Sequence, residues 1–408
     1  MSRPGVVVTG VGLVSAAGIG VADNWRRVVA GEPTAARDPA LVGCPIDFAC
    51  RVPGFDASGL LGDRRAETAD RFTQLAIVAA EEAMAHAGLG PDGADPTRFG
   101  VVLGTVAGGT ATMEAQQAKL LREGPEAVSV RTMTMGLVSM AAGELSIRFG
   151  LRGVTMTVAT ACASGTNAIG IARDLIRSGK LDVALAGGAD SPLTPLHSAA
   201  FHRLGALSRR TDQPLAASRP FAASRDGFVL GEGAGVLVLE SDAHARARGA
   251  TRLAEIAGYG TTADAYHVTR PAPAGTGAIR AMLDALTDSG LEAGDIDYVN
   301  AHGTSTRRND EVESAAIAAV LGDGVAVSST KGVTGHPFGA AGALEAGYSV
   351  LALRDSLLPP TANLTDPDPC VTVDLVAGAA RGAKVRAVMS NSFGFGGHNA
   401  CLVITAPR

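Results

Sequence analysis

Val154-Thr-Met-Thr-Val-Ala-Thr-Ala-Cys-Ala-Ser-Gly-Thr-Asn-Ala-Ile169 runs from an apolar, β-branched stretch through small residues into a helical repeat that sets Ile169, Ala172 and Ile176 on one face. A buried strand handing over to a helix is the unit of a layered α/β protein. The same alternation recurs along the chain. Strands are expected at Val6–Thr9, Val101–Gly104, Val154–Ala159, Val183–Ala186, Val236–Leu239, Tyr298–Ala301, Val325–Ser328, Ala387–Ser390 and Cys401–Ile404. Helices are expected at Phe72–Ala87, Ala141–Phe149, Ser164–Arg177, Thr276–Asp288, Glu311–Leu321 and Ala340–Leu353.

With 408 residues the chain is long enough for two domains or one large duplicated fold. In each half a reactive-looking residue follows a buried strand, which favours duplication. The charged stretch ending at Gly249, around Arg248–Thr251, marks the junction, giving halves 1–250 and 251–408. Composition is 46% hydrophobic but 4% aromatic, so the core is built of Ala, Val, Leu and Ile.

Net charge is −5 and no long Lys/Arg run occurs, which argues against a nucleic-acid face. No apolar stretch reaches membrane-spanning length uninterrupted, and the start lacks the regions of a secretory signal, so a cytoplasmic protein is expected. Cys44, Cys50, Cys162, Cys370 and Cys401 are scattered and odd in number, which reads as reduced thiols and not as a disulfide scaffold or zinc site.

Cys162 sits where a helix begins. The partial positive charge of unpaired N–H groups there favours a thiolate, and Ala161, Ala163 and Gly165 leave room for a substrate. The competing reading is a small buried residue. His302, in Asn300-Ala-His-Gly-Thr-Ser-Thr306, follows a strand end, and His336, in Lys331-Gly-Val-Thr-Gly-His-Pro-Phe-Gly-Ala-Ala-Gly-Ala343, lies in a glycine-flanked loop before a helix. Structural histidines are commoner than reactive ones. A metal is disfavoured because the two lie far apart in sequence and Asp310 and Glu345 fall inside helical patterns. Stabilisation of an oxyanion or enolate by neutral imidazoles suits them better.

Asn391-Ser-Phe-Gly-Phe-Gly-Gly-His-Asn399 precedes the last strand, so its glycines do not open a phosphate-binding helix. It either aims a backbone N–H into a pocket or forms a plain hairpin. Val6-Val-Val-Thr-Gly-Val-Gly-Leu-Val-Ser15 has Ser15 at the third glycine position of a dinucleotide fingerprint, and no Tyr is followed by Lys four residues on. A dehydrogenase is thereby disfavoured.

Taken together, the segments around Cys162, His302, His336 and Phe393, with Ser218–Gly235, resemble the β-ketoacyl-[acyl carrier protein] synthases in order and spacing along essentially the whole chain. The resemblance implies an α/β thiolase-like fold, two pseudo-duplicated halves in a five-layered αβαβα arrangement, with the Cys in the first half and both His in the second. It implies an acyl chain held on Cys162, His302 and His336 assisting decarboxylation of malonyl-carrier, Lys331 and Glu345 ordering the site, and an oxyanion hole from the N–H groups of Cys162 and Phe393. Phe393 and Gly394 would also border the acyl site as a gate, with Ala107 and Phe201 along the acyl chain and Thr304 and Thr306 on the pantetheine arm.

No cofactor is implied beyond the phosphopantetheine of acyl carrier protein. That carrier is the expected partner, with Arg64, Arg65, Arg71, Arg209 and Arg210 as docking candidates, and a homodimer or a heterodimer with a chain-length-factor-like subunit is the expected assembly. All three of Cys162, His302 and His336 are kept, which favours an active elongating enzyme over a non-catalytic partner subunit or a degradative thiolase. Ala107, where relatives often carry Ile, and Gly205, where they often carry a docking Arg, point to polyketide or other specialised chains rather than housekeeping fatty acids.

Overall fold

Five strands of the first half are β1 (Val6–Ser15), β2 (Phe99–Gly104), β3 (Thr155–Val158), β4 (Val183–Asp190) and β5 (Gly233–Ser241). They align in the order β3-β2-β4-β5-β1 in the computed structural model, which describes residues 4–90 and 93–407. Neighbours among β3, β2 and β4 are parallel; β5 is antiparallel to both β4 and β1. The second half repeats this with β6 (Ala254–Ala263), β7 (Tyr298–Asn300), β8 (Ala326–Ser328), β9 (Ala387–Gly394) and β10 (His398–Thr405), in the order β8-β7-β9-β10-β6. Orientations repeat as well. Two residue pairs between β1 and β6, Val7 with Glu255 and Val8 with Ala254, join the two arrays.

The helices that matter for the site are α1 (Arg71–Ala87), α2 (Thr110–Glu123), α3 (Met140–Phe149), α4 (Ser164–Arg177), α5 (Pro195–Leu204), α6 (Thr276–Ser289), α7 (Arg307–Leu321) and α8 (Ala341–Asp355). α1 and α3 cover the outer face of the first array and α6 that of the second, where α7 packs on α6. Between the arrays α4 and α8 pack on each other and on strands of both. This is the expected five-layered arrangement. α8 is buried from Ala341 to Leu353, because a helix in a middle layer has no solvent face and its sequence is apolar all round.

The glycines of Val6–Ser15 serve packing. A Cβ on Gly10 would lie 2.1 Å from the Ala83 carbonyl oxygen of α1, and one on Gly12 1.8 Å from that of Ala79. In the second half Gly258 and Gly260 stand in the same relation to Ala285 and Ala281 of α6, at 2.2 and 2.0 Å. Two glycines on one strand face thus let a helix lie against the backbone, one turn of helix per glycine. The same glycines hide β6 from a pattern search, and its limits are not among the strands expected from sequence. α2 also escapes it, since none of its residues is buried and it carries no apolar stripe.

The two sheet ends differ. Beyond β8 the short strand Asp374–Leu375 closes the edge, whereas β3 ends the other side with Thr155 and Met156 exposed. Among the described residues no helix is long and apolar enough to cross a membrane.

Candidate active site

α4 and α8 meet at their first turns. A Cβ on Gly165 would lie 2.6 Å from Gly339 O and 2.9 Å from Ala343 N, and one on Gly342 would fall 1.9 Å from Thr166 Oγ1. Gly165 therefore serves helix contact and not substrate access, for which it was read from sequence. This close crossing brings the turn before α4, with Cys162, against the turn before α8, with His336. Sγ of Cys162 lies 3.0 Å from Nε2 of His336. His302, beyond the end of β7, stands edge-on to His336 with ring centroids 5.4 Å apart. Cys162, His302 and His336 each offer an atom within 4.8 Å of the others. Lys331 Nζ is 3.4 Å from Nδ1 of His302 and is ion-paired to Glu345.

The turns are held in unusual backbone. Ala161 has φ 49°, Ser305 φ 69° and Phe338 φ 45°, each within three residues of one of the three reactive side chains. Such conformations cost on the order of 1–3 kcal/mol and persist where surroundings dictate them.

Burial governs the charges. It pushes the Cys162 thiol up to about 11, against the opposing pull of the Lys331 ammonium and of the Phe395 and Cys162 N–H groups. Burial thereby works against the helix-start thiolate expected from sequence. His302 and His336 are held well below the usual histidine range, by burial first and Lys331 second. The resting pair is a neutral thiol facing a neutral imidazole.

The glycine turn after β9 also departs from expectation. The N–H that reaches the thiol belongs to Phe395, and not to Phe393. The Phe393 ring packs inward, 6.1 Å from His302, whereas Phe395 stands 36% exposed beside Phe201. Gly394 lines the site where a Cβ would press 2.9 Å from Cys162 N, so this position must stay bare for the two donors to converge.

Models of the β-ketoacyl synthase N-terminal and C-terminal domains match residues 3–245 and 253–365. The chain belongs to the β-ketoacyl synthase family. It is 42% identical to 3-oxoacyl-[acyl-carrier-protein] synthase 2 of Synechocystis sp., with 98% of each chain covered, and 43% identical to that of Rhizobium meliloti, again over 98% of each. Among solved structures it resembles the ishigamide ketosynthase/chain length factor at a TM-score of 0.94 and 36% identity, each chain wholly covered. It also resembles the AntDE:AntF complex, a type II PKS acyl-carrier protein with its ketosynthase, at 0.92 and 34%, again with each chain wholly covered. The chain is an acyltransferase of the 3-oxoacyl-[acyl-carrier-protein] synthase type.

The synthase opens to solvent through a cavity of about 680 Å³ floored by Cys162, His302 and His336. Phe201, Phe228 and Phe338 form one wall; the last two each stand 5.4 Å from the His336 ring. Thr304 and Thr306 also line the cavity, their hydroxyls 2.9 Å apart. Val106 reaches the cavity; Ala107 beside it does not, and its N–H donates to Asp190 at 2.9 Å.

Of the docking candidates, Arg71 is committed elsewhere. Its guanidinium grips the buried Glu232 carboxylate at 2.7 Å and lies over the Phe55 ring, so it holds the core. Arg210 donates to Ser224 O at 2.8 Å, and Arg64 and Arg209 are exposed while Arg65 is half-buried. None of the five lines the cavity. The cations at its mouth are Arg270, Arg307 and Arg308, which were not singled out from sequence. Gly205 is also at the mouth, as the left-handed residue ending α5 with φ 71°.

Two buried carboxylates were missed because acids inside helical or strand patterns read as surface. Glu313 of α7 accepts the N–H groups of His302 and Gly303, both at 2.7 Å, and burial pushes it up to about 7. Asp190 accepts from Thr105 Oγ1 and from the N–H groups of Val106, Ala107 and Gly339. Glu313→Gln puts an amide NH2 against one of two backbone donors. It is expected to lower stability by about 1–3 kcal/mol, read in urea melts, and to reduce turnover while Cys162 alkylation stays near wild type.

The sequence distance that argued against metal ligation does not separate the histidines in space. What disfavours a second cation there is Lys331, whose ammonium already faces His302.

Proposed function

We propose that the synthase catalyses decarboxylative Claisen condensation of malonyl-carrier with an acyl chain held on Cys162. The observation that carries this is the Cys162–His336 contact of 3.0 Å, beside a second neutral imidazole, at the foot of the cavity. Cys162 Sγ attacks the acyl thioester of the carrier's phosphopantetheine. His336 takes the thiol proton and hands it to the departing pantetheine sulfur, so one C–S bond forms as another breaks. Malonyl-carrier then loses carbon dioxide. The enolate oxygen accepts the N–H hydrogen bond of His302, whose Nδ1 faces Lys331 and whose ring burial keeps uncharged; His336, left with its proton on Nδ1, borders the enolate. The enolate carbon attacks the Cys162 thioester, and the resulting oxyanion meets the N–H groups of Cys162 and Phe395, on the order of 3 kcal/mol per donor. Collapse expels the Cys162 thiolate, which regains a proton from solvent.

Incubation with acyl-carrier and malonyl-carrier tests the scheme. An acyl adduct on Cys162 and a chain two carbons longer are expected. Absence of both in the assembled enzyme overturns it.

For the partners, Arg270, Arg307 and Arg308 at the mouth, with exposed Arg64 and Arg209 beyond it, support docking of an acidic carrier protein. The open edge at β3 and exposed Met133, Leu137, Val138 and Met156 support a second subunit covering that face. Native mass measurement separates homodimer from heterodimer with a chain-length-factor-like subunit.

Specialised or polyketide chains are favoured by the likeness to the ishigamide and AntDE:AntF ketosynthases. Mass spectrometry of the carrier-bound chains tests this: products that stop at ordinary fatty-acid intermediates remove this part of the reading.

A further inference from the structure

The turn that bears Cys162 is tied to the opposite half of the molecule by a part-buried chain of hydrogen bonds. Asn167, on the first turn of α4, donates from Nδ2 to Thr160 Oγ1 at 2.7 Å. Its Oδ1 accepts the Tyr259 O–H at 2.6 Å. Thr160 stands two residues before the nucleophile, and its own N–H is held by Ser164 Oγ at 2.9 Å. Tyr259 comes from β6, the first strand of the second half.

Everything around Tyr259 fixes that ring. Gly170 of α4 makes room for it, since a Cβ there would lie 2.5 Å from the ring carbons. The Arg173 guanidinium, almost wholly buried, lies 5.7 Å from the ring centroid and is paired with Asp288 at 2.5 Å. Asp288 in turn accepts the Tyr259 N–H at 3.1 Å.

The Cys162 turn needs such a support. Ala161 is held at φ 49°, a conformation an alanine leaves when it is free to do so. On the cavity side Gly394 presses close to Thr160 O and Cys162 N. On the far side the Thr160 hydroxyl is held by Asn167.

We propose that Asn167 and Tyr259 are positioning residues for Cys162: through Thr160 they hold the strained turn so that Sγ faces both His336 and the incoming thioester. The proposal rests on Cys162 being the acyl-accepting nucleophile. Neither residue lines the cavity or is hydrogen-bonded to His302, so their effect is confined to the steps that use the thiol.

The test compares two half-reactions on the full-length enzyme in its native assembly. One is the single-turnover rate of acyl transfer from acyl-carrier to Cys162; the other is decarboxylation of malonyl-carrier without an acyl primer, which uses the histidines. Tyr259→Phe, which keeps the ring and removes the hydroxyl that bonds Asn167, is expected to slow acylation about fivefold, and Asn167→Ala more than about tenfold. Decarboxylation is expected to stay within about twofold in both. Combining them adds little to Asn167→Ala, because the chain is already broken. Asn167→Asp, whose carboxylate accepts from both the Tyr259 and Thr160 hydroxyls, is expected to recover most of the rate. Acylation unchanged in Asn167→Ala overturns the proposal, as does a parallel fall of both half-reactions in Tyr259→Phe. If the wild-type enzyme itself forms no adduct on Cys162, the nucleophile assignment fails instead, and the two failures are told apart by that control.

Discussion

Cys162→Ser is expected to lose at least 10³-fold in condensation while folding like the parent. A serine hydroxyl is the weaker acid by many pK units, and the site that pushes even a thiol up to about 11 penalises an alkoxide further. Serine nucleophiles are rescued when the base beside them is itself backed by a carboxylate that stabilises the imidazolium. His336 has no such backing: among the described residues its Nδ1 lies buried without a hydrogen-bond partner. The charge that acts on it is the Lys331 ammonium, which opposes imidazolium formation. Intact-mass analysis should show no acyl adduct on the variant. Malonyl-carrier decarboxylation should persist, because it depends on the histidines. An adduct that survives in Cys162→Ser would place the nucleophile elsewhere. In the parent enzyme, alkylation of Cys162 should climb steadily from pH 7 towards 10 with no plateau near neutrality. A plateau below pH 8 would mean a preformed thiolate, contrary to the neutral pair described above.

Lys331→Met carries the largest expected cost in stability. Lys331 and Glu345 are 1% and 2% exposed, so removing one partner strands the other in the interior. Breaking a buried pair in this way costs about 3–5 kcal/mol. The double variant Lys331→Met/Glu345→Gln leaves no net charge behind and should recover much of the loss, as read from urea midpoints. The sign of the pH effect follows from Glu345. Burial raises its carboxyl to about 7 even with Lys331 opposing, so it rises further once the ammonium is gone. A carboxyl raised in the folded state favours folding below its unfolded pKa, and that contribution is lost as pH climbs through the folded value. Lys331→Met should therefore be more stable at pH 5 than at pH 8. A single variant as stable as the double at pH 8 would show that Glu345 is not held as a stranded charge.

How far the sequence reached depended on whether a residue's role was local. The strand-to-helix turns at Cys162 and His336 are local, and both stood out from their own segments. Alternating apolar runs placed nine of the ten principal strands, because β-branched residues declare themselves, whereas the glycines of β6 declare only a closeness to α6 that its own segment does not contain. The N–H facing the thiol beside that of Cys162 lies two residues past the expected Phe393: Phe393 and Phe395 are chemically identical, and the turn that carries left-handed Gly396 and Gly397 has no side-chain signature to tell them apart. Glu313 and Asp190 were invisible for the opposite reason, since most of their partners are backbone groups of other segments, which carry no side-chain signature. Arg71 shows the converse error, a cation that reads as surface yet is spent on an interior carboxylate.

The middle layer has a consequence for the chain as a covalent object. α4 belongs to the first half and α8 to the second, and each shields strands of the other's array as well as its own. A fragment ending before β6 would leave α4 without its partner helix and expose its strand faces to water, and the complementary fragment would suffer the same in reverse. The thiol and the imidazoles moreover lie on different fragments, so severing the chain separates nucleophile from base. Fold and reactivity thus share one seam. The two similar halves are a permanently tethered pair in which the members have divided the labour, one keeping the thiol and the other both imidazoles.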